Sequence, residues 1–282
     1  MESKLIKRKL TEKITFNILG LFLWASIAIL GIIIFFIFKR GIGVISWEFI
    51  TSMPANGMTE GGIWPAILGS LIMISLTLLF ALPIGILTGI FLAEFGRNTR
   101  LARILDTAIT SLSGVPSIVY GLFGLSLFSV TLGFKTSILS GSLTLAVMTL
   151  PIIASSVKEA LSSLPGTLRE SALALGAKKT EVIYKILVPA SKNRIITAVL
   201  IGMGRVIGET APVLLTGAVF YSTYFPSNIM QPVMTLPTHI YYITIAYGRD
   251  AQWMAKGSSA FLLLIIIAIY SIAFAFRRKS NG

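Results

Sequence analysis

Long apolar runs separated by shorter polar segments make up most of this chain. Six runs can be delimited, with ends good to a few residues: Ile14–Phe38, Ile63–Phe91, Ile104–Val130, Ile138–Val157, Ile195–Val219 and Ser259–Phe276. The first run has 25 residues and no charged side chain, and about 20 apolar residues are enough for a helix to cross a bilayer. The pattern therefore predicts an all-α polytopic membrane protein with six transmembrane helices.

The polar segments divide the chain into three parts. We expect residues 1–62 to form an N-terminal tail, the first transmembrane helix and an outer loop. Residues 63–276 should form one transmembrane domain, and residues 277–282 a C-terminal tail. A polar loop at 158–194 separates the fourth and fifth apolar runs inside that domain.

Lysine and arginine are distributed unevenly between the two sides of this topology. With the N-terminus inside, the inner set is Lys4, Lys7, Arg8, Lys9, Lys13, Arg97, Arg100, Arg103, Lys158, Arg169, Lys178, Lys179, Lys185, Lys192, Arg194, Arg277, Arg278 and Lys279. The outer set is much smaller: Lys39, Arg40, Lys135, Arg249 and Lys256. Because cytoplasmic loops carry the excess of positive charge, we expect both termini and the 158–194 loop in the cytoplasm. The net charge of +13 then indicates topology rather than nucleic-acid binding.

Composition argues against enzymatic chemistry on this chain. The 282 residues are 55% hydrophobic and 12% charged, whereas soluble domains carry about 25% charged residues. The sequence has no cysteine, and its single histidine, His239, lies in a Pro-containing segment that we expect to be a surface loop. One histidine without cysteine makes neither a zinc site nor a Ser/His/Asp triad, and there is no G-x4-G-K-[ST] phosphate loop. We therefore expect no catalytic residue, no metal and no cofactor here.

The 158–194 loop has a helical pattern of its own. Leu164-Pro165-Gly166 should end the preceding helix, and Thr167 with Glu170 three residues later fits a capping box. Gly176 should end the short helix that follows, and Pro189 should set the angle at which the chain re-enters the membrane. We expect an exposed knob that can fit a cleft. An amphipathic turn lying on the membrane is the alternative.

A proline interrupts the third apolar run. Pro116 cannot donate the helical hydrogen bond, so it should kink or break the span. The hydroxyl groups of Ser113, Ser117 and Tyr120 lie close to it in the sequence. Freed backbone groups are tolerated at membrane depth only when buried in protein or lining a wet cavity. The pattern favours a structural kink and a pore lining equally.

Two charged residues, Arg205 and Glu209, lie within the fifth run. A charge in a span costs about 2.5–3.5 kcal/mol on insertion scales, so it usually faces a partner or a water-filled path. Residues four apart on a helix can pair, which makes a structural ion pair one interpretation. The planar fork of a guanidinium also suits an oxyanion such as phosphate. On that second interpretation Arg205, oriented by Glu209, lies on a translocation path.

Three motifs resemble one protein family. Glu170-Ser-Ala-Leu-Ala-Leu-Gly176, then nine residues, then Ile186-Leu-Val-Pro189 is similar to the E-A-A-x3-G-x9-I-x-L-P motif of ABC importer permeases, with departures at Ser171 and Val188. Glu170, Ala172, Gly176, Ile186 and Pro189 all stand at the expected offsets. The string from Ser113 to Gly121 and the Arg205-x-x-Gly-Glu-Thr-Ala-Pro212 segment resemble the phosphate ABC importer permeases, and Leu236-Pro237-x-His239-Ile-Tyr241 resembles their PstA branch.

The resemblance implies a fold, a role and a set of partners. The fold would be that of a type 1 (MetI-like) ABC importer permease in a prokaryotic plasma (inner) membrane. The partners would be a PstC-like permease, two copies of a PstB-like ATPase and a PstS-like phosphate-binding protein. The 170–189 motif would contact the ATPase, which would bind and hydrolyse the ATP, and inorganic phosphate would be the cargo.

Other functions remain open on sequence alone. A permease of the same fold for sulfate or molybdate is the nearest alternative. A membrane-bound transferase or phosphatase is disfavoured by the lack of cysteine, the lone histidine and the scarcity of acidic residues in the spans. A passive channel would not need the Glu170 motif.

Overall fold

The computed structural model is almost entirely helical. It describes residues 2–96, 99–222 and 224–280, and the side chains of 12–96, 99–222 and 224–276. The helices are α1 (Glu2–Gly41), α2 (Trp47–Thr51), α3 (Trp64–Ile90), α4 (Arg100–Ser113), α5 (Ser117–Gly124), α6 (Ile138–Ser162), α7 (Gly166–Ala174), α8 (Lys179–Glu181), α9 (Val188–Gly208), α10 (Ala211–Thr216), α11 (Leu236–Ala246) and α12 (Gln252–Ser280). Strands β1 (Pro54–Ala55) and β2 (Glu60–Gly61) form a short hairpin in which Pro54 pairs with Gly61.

Five helical runs in the described ranges are long and apolar enough to cross a membrane. They are Glu12–Val44, Trp64–Phe95, Ile138–Ser162, Lys179–Gly208 and Gln252–Phe276. The pair Arg100–Ser113 and Ser117–Thr131 passes the same test together but is bent by 106° between its two parts. Counted as one span, the pair gives six, as the apolar pattern predicts. The run Ile104–Val130 is nevertheless not one straight helix.

The break in this run lies at Gly114-Val115-Pro116. The last turn of α4 tightens as the backbone N–H groups of Gly114 and Val115 donate to Ser111 and Leu112. Pro116 follows with φ −59° and ψ 141°, an extended conformation that starts α5 in a new direction. The predicted kink is thus a complete break, and α4 is an amphipathic helix that buries only Ala102 and Ile109.

Helices α3 and α6 form the centre of the molecule, and glycines bring them together. A Cβ on Gly85 would lie 2.8 Å from Cγ2 of Ile153, and one on Gly89 would lie 2.6 Å from Cβ of Val157. Both partner residues on α6 are completely buried. Small residues at such contacts let the helix backbones approach closely. The van der Waals packing that results helps to hold helices together in lipid.

Glycines also lie where the outer helices meet. Helix α9 meets α12 at Gly204, where an added Cβ would lie 2.9 Å from Cζ of Tyr270. Helix α1 approaches α12 at Gly41, where an added Cβ would lie 2.6 Å from Cβ of Ala260. None of the residues in the most apolar stretch of α1 is buried within the chain. The first helix therefore lies on the outside of the domain.

The fifth span differs from the predicted Ile195–Val219. Its helical run begins at Lys179, passes through a π-helical segment at Val182–Leu187 and ends at Gly208. The residues that follow leave the helix at Glu209 and form the short α10. Of the predicted 158–194 loop, only the part between α6 and Lys179 lies outside these two long helices.

Candidate functional site

Helix α7 is the short helix predicted around Glu170, but its start is not the one predicted. The helix begins at Gly166, its N-cap is Pro165, and no side chain caps it. Thr167 therefore lies inside the first turn rather than at the N-cap, and the predicted Thr167–Glu170 capping box is absent. Pro165, with φ −55° and ψ 136°, provides the turn into the helix. The N-cap therefore lies two residues closer to the N-terminus than the predicted Thr167.

The C-terminal end of α7 is the one predicted. Gly176 has φ +85°, its N–H donates to the carbonyl of Leu173 at 2.9 Å, and the N–H of Ala177 donates to that of Ala172 at 3.1 Å. These two bonds make a Schellman motif, in which glycine takes the left-handed position. Ala172 is buried beneath the helix, whereas Leu175 is 88% exposed at its tip. Glu170 is exposed as well.

The second half of the motif packs beneath the first. Ile186 lies against the buried cluster that contains Ala172, Val182 and Leu187, so the spacing of the motif brings its apolar residues into one core. Pro189 does not set a re-entry angle. It lies in the first turn of α9, within the continuous run from Lys179 to Gly208, where a missing N–H is tolerated. That part of the prediction is wrong.

An ion pair that the sequence analysis missed anchors α7. The Arg169 guanidinium contacts Glu94 through Nη2–Oε1 at 2.6 Å and Nε–Oε1 at 3.0 Å. It also donates to the carbonyls of Leu161 at 2.7 Å and Leu164 at 3.1 Å. The two charged side chains are only 13% and 7% exposed. An acidic residue at the end of an apolar run, amid basic neighbours, was the available signal.

Arg205 and Glu209 form the predicted pair at the end of α9. Arg205 Nε lies 3.4 Å from Glu209 Oε1. The pair does not share one helix face, because α9 ends at Gly208 and Glu209 is extended, with ψ 129°. The Arg205 side chain is 43% exposed and that of Glu209 only 15%. The guanidinium is therefore accessible at the surface of the chain, and it is paired with a carboxylate that is mostly buried.

Helix α5 brings two of the predicted hydroxyl residues to this pair. Ser117 lies beside the Glu209 carboxyl, and Tyr120 lies near Arg205. The helix is held there by its contact with α10, since a Cβ on Gly121 would lie 2.9 Å from Cδ1 of Leu215. Ser117, Arg205 and Glu209 thus form one cluster, whereas the Tyr120 hydroxyl is used by the Leu112 carbonyl.

The remaining residues of the third span serve the break in the chain. The Ser113 hydroxyl donates to the Ile109 carbonyl at 2.9 Å, and the buried Tyr120 hydroxyl donates to Leu112 at 2.8 Å. Ser113 and Pro116 are exposed at the turn itself. Their hydroxyl and backbone groups are used to stabilise the bend, which favours the structural interpretation for Ser113 and Pro116.

His239 is not on a surface loop. It lies in α11 and is 1% exposed, because this helix packs against α3 and α12. Neither ring nitrogen has a hydrogen-bond partner among the described residues. Burial lowers the pKa of His239 to about 4, so the ring is neutral at pH 7. In the described ranges, no group of three His, Cys, Asp or Glu side chains could hold a metal ion.

Comparison with known proteins shows the family to which this chain belongs. The sequence profile of the "binding-protein-dependent transport system inner membrane component" family matches residues 85–281. The chain belongs to this family. The match covers the α6–α9 region with the Glu170 motif and the Arg205–Glu209 pair, and it identifies the chain as a multi-pass membrane component of a transport system.

Two relatives resemble this inner membrane component over most of their length. It is 32% identical to the "probable ABC transporter permease protein YqgI" of Bacillus subtilis, across 95% of both chains. It is 33% identical to the "probable phosphate transport system permease protein PstA" of Methanocaldococcus jannaschii, across 93% of this chain and 92% of that one.

A solved structure supports the fold. The inward-facing MetNI methionine ABC transporter contains a chain that matches with a TM-score of 0.56 and 22% identity, over 78% of this chain and 93% of that one. The predicted all-α, MetI-like type 1 importer permease fold is thereby confirmed.

Proposed function

We propose that this inner membrane component is the permease subunit of an ATP-driven importer of inorganic phosphate. The observation that carries the proposal is the Arg205 guanidinium, accessible at the end of α9 and held by the mostly buried Glu209 carboxylate. A fixed, partly desolvated guanidinium can donate two parallel hydrogen bonds to a tetrahedral oxyanion. Ser117 adds a hydroxyl to the same cluster.

The choice of phosphate over another oxyanion rests on the relatives. The geometry of a guanidinium allows it to bind sulfate or molybdate as readily as phosphate. The PstA relative from Methanocaldococcus jannaschii is named as a phosphate transport permease, which favours phosphate here. Sulfate and molybdate remain the competing cargoes.

The partners in this proposal are those of the transport system to which the family and the PstA relative belong. A PstC-like permease would complete the translocation path, and two copies of a PstB-like ATPase would bind below. A PstS-like phosphate-binding protein would dock on the opposite side. The tip of α7, with the exposed Glu170 and Leu175, would enter a cleft on the ATPase. ATP would bind and be hydrolysed on that partner, with no cofactor on this chain.

The orientation belongs to the proposal too. The 158–194 region and both termini would face the cytoplasm, since the positive charges cluster on that side. Residues 63–276 would be the permease domain, residues 1–62 its N-terminal appendage and residues 277–282 a tail. Residues 277–280 continue α12, whereas residues 281–282 and the first residue lie outside the described ranges.

Radiolabelled phosphate uptake tests the proposal. A strain that lacks this gene should lose high-affinity uptake, and the intact chain should restore it. Excess unlabelled phosphate should compete, whereas sulfate and molybdate should not. Gene-dependent uptake of labelled sulfate or molybdate, with phosphate uptake unchanged by the deletion, would contradict phosphate as the cargo.

A further inference from the structure

Arg169 contacts three separate parts of the chain at once. It lies on α7, and its carboxylate partner Glu94 lies in the π-helical segment that extends α3. Its carbonyl partners are Leu161, in the last turn of α6, and Leu164, two residues beyond the end of that helix. The last carbonyls of a helix have no partner within the helix. The Leu161 carbonyl accepts the Leu164 N–H at 3.2 Å, and Arg169 adds a charged donor to it. The guanidinium therefore ties α7 to the ends of both central helices.

The opposite halves of α3 and α6 reach Glu209 of the Arg205–Glu209 pair. Met73 and Ile74 of α3 and Leu145 of α6 line a small cavity of about 10 Å³ together with Val206 and Glu209. Between this cavity and Arg169, the two helices are packed through Gly85 and Gly89 with no room for an added Cβ. Close-packed helices move together rather than deform.

We propose that Arg169 is a positioning residue that transmits displacement of α7 to α3 and α6, and through them to the Arg205–Glu209 pair. This inference rests on the proposed function, because it takes α7 as the contact of the ATPase. The anchored α7 carries the central helices with it when an ATPase moves it. An α7 without this anchor moves on its own.

The chemistry of the contact explains why an arginine is present. Arg169 uses Nε, Nη1 and Nη2 to bond a carboxylate and two carbonyls at the same time. The compact ammonium group of a lysine cannot reproduce that planar fork. A second contact joins the same π-helical segment to α8, since Lys179 Nζ lies 4.4 Å from the centre of the Phe95 ring.

The experiment compares coupling with assembly in the complete complex. Arg169→Gln, Arg169→Lys, Glu94→Gln and the double variant Arg169→Gln/Glu94→Gln are reconstituted with the partner subunits, and phosphate transported per ATP hydrolysed is measured. Asp106→Asn is the matched control, because it breaks an ion pair between α4 and α6, with Lys158, whose side chains are 46% and 36% exposed.

We expect Arg169→Gln to retain ATP hydrolysis while phosphate transported per ATP falls about tenfold, within the range by which mutations change coupling between sites. Phosphate transported per ATP should also fall in Arg169→Lys, because a positive charge alone does not make the three-way contact. The double variant leaves no unpaired charge and should assemble but stay uncoupled. Asp106→Asn should transport normally. Normal coupling in Arg169→Gln or in the assembled double variant would overturn the proposal.

A cross-link separates this inference from the proposed function. The chain has no cysteine, so Leu175→Cys places a unique thiol at the tip of α7. Cross-linking to the ATPase in both the wild-type and Arg169→Gln backgrounds, with coupling unchanged, would reject only the transmission through Arg169. No cross-link to the ATPase in either background would reject the α7 contact itself and the inference that depends on it.

Discussion

Arg205 and Glu209 are a pair of residues with unequal exposure, and their substitutions should therefore have unequal effects. Arg205→Gln removes the outward charge that we propose attracts the anion, so phosphate uptake should be abolished while the subunit still copurifies with its partners. Glu209→Gln leaves the guanidinium in place and should reduce uptake less. Uptake assays with a copurification control measure both effects.

The double variant Arg205→Gln/Glu209→Gln distinguishes the two interpretations of the pair. A pair that only stabilises the fold would tolerate it, because no uncompensated charge remains. If the Arg205 guanidinium lies on the path, the double variant should not transport, because the positive charge is still missing. Full phosphate uptake by the assembled double variant would therefore remove Arg205 from the translocation path.

Gly176 is a residue where conformation and position can be tested separately. Its φ of +85° costs other L-residues about 1–2 kcal/mol, yet an added Cβ would meet nothing within 4 Å. We expect Gly176→Asp to assemble but to uncouple ATP hydrolysis from transport, since its carboxylate would project from the tip of α7. Gly176→Ala is the control, because it carries the same conformational cost without the carboxylate. Normal phosphate transport per ATP in Gly176→Asp would contradict the role of this tip.

His239 gives the protein a predictable dependence on pH. The ring is buried, and its pKa falls to about 4 from about 6.5 in an unfolded chain. Below about pH 6.5 the unfolded state binds a proton that the folded state does not, so the free energy of unfolding decreases as pH falls, by about 3 kcal/mol in total near pH 4. Above about pH 6.5 both states are neutral and this contribution is constant.

Thermal unfolding in detergent between pH 5 and 7 measures the effect. Because His239 is the single histidine of the chain, His239→Gln removes the only imidazole. The variant should be less stable at pH 7 through altered packing, but its melting temperature should vary less between pH 5 and 7. An equal slope in wild type and variant would show that His239 does not titrate as its burial requires.

At the scale of elements, the α3–α6 contact depends on the absence of side chains. A Cβ on Gly89 would lie 2.6 Å from Cβ of Val157 and 2.7 Å from the Ala154 carbonyl oxygen, so Gly89→Ala should cost about 1–3 kcal/mol through overpacking. Gly31→Ala in α1 meets nothing within 4 Å and is the control. We expect a lower melting temperature for the first and no loss for the second. Equal melting temperatures would contradict this packing.

The lengths of the apolar runs predicted the long helices, because the thickness of the bilayer sets the number of apolar residues in a spanning helix. It could not separate α4 from a span, since Ile104, Leu105, Ala108 and Ile109 are apolar while only Ala102 and Ile109 of α4 are buried. It also missed the helical start at Lys179, because a window that seeks apolar residues rejects the lysines there. Both errors concern helices at the edge of the membrane, where hydrophobicity no longer decides.

The two ion pairs show the same limit for the site. Arg205 and Glu209 are four residues apart, so helical periodicity alone predicted their contact. Arg169 and Glu94 are 75 residues apart, and their contact depends on how α3, α6 and α7 pack. The predicted end of α7 at Gly176 is local and confirmed, whereas its start at Pro165 required knowledge of the preceding turn.

At the scale of the whole molecule, burial is concentrated in one helix. In its most apolar stretch, α6 is 67% buried, more than any other candidate span in the described ranges. The Arg205 guanidinium, by contrast, reaches the surface of this single chain. A path that includes Arg205 therefore needs walls from another chain, which supports the proposal of a second permease.

The unburied α1 also bears on how the protein enters the membrane during synthesis. With a mean hydropathy of 2.8 and no burial in its apolar stretch, α1 can be released into lipid as an independent unit. Helix α6 has a mean hydropathy of 1.8 and carries the buried Ser142, whose hydroxyl donates to the Met73 carbonyl of α3 at 3.3 Å. Acyl chains offer no such acceptor. When α6 leaves the insertion machinery, the glycine face of α3 has already been inserted. The order of the helices along the chain thus supplies the most polar of these three with a protein surface at the moment of insertion.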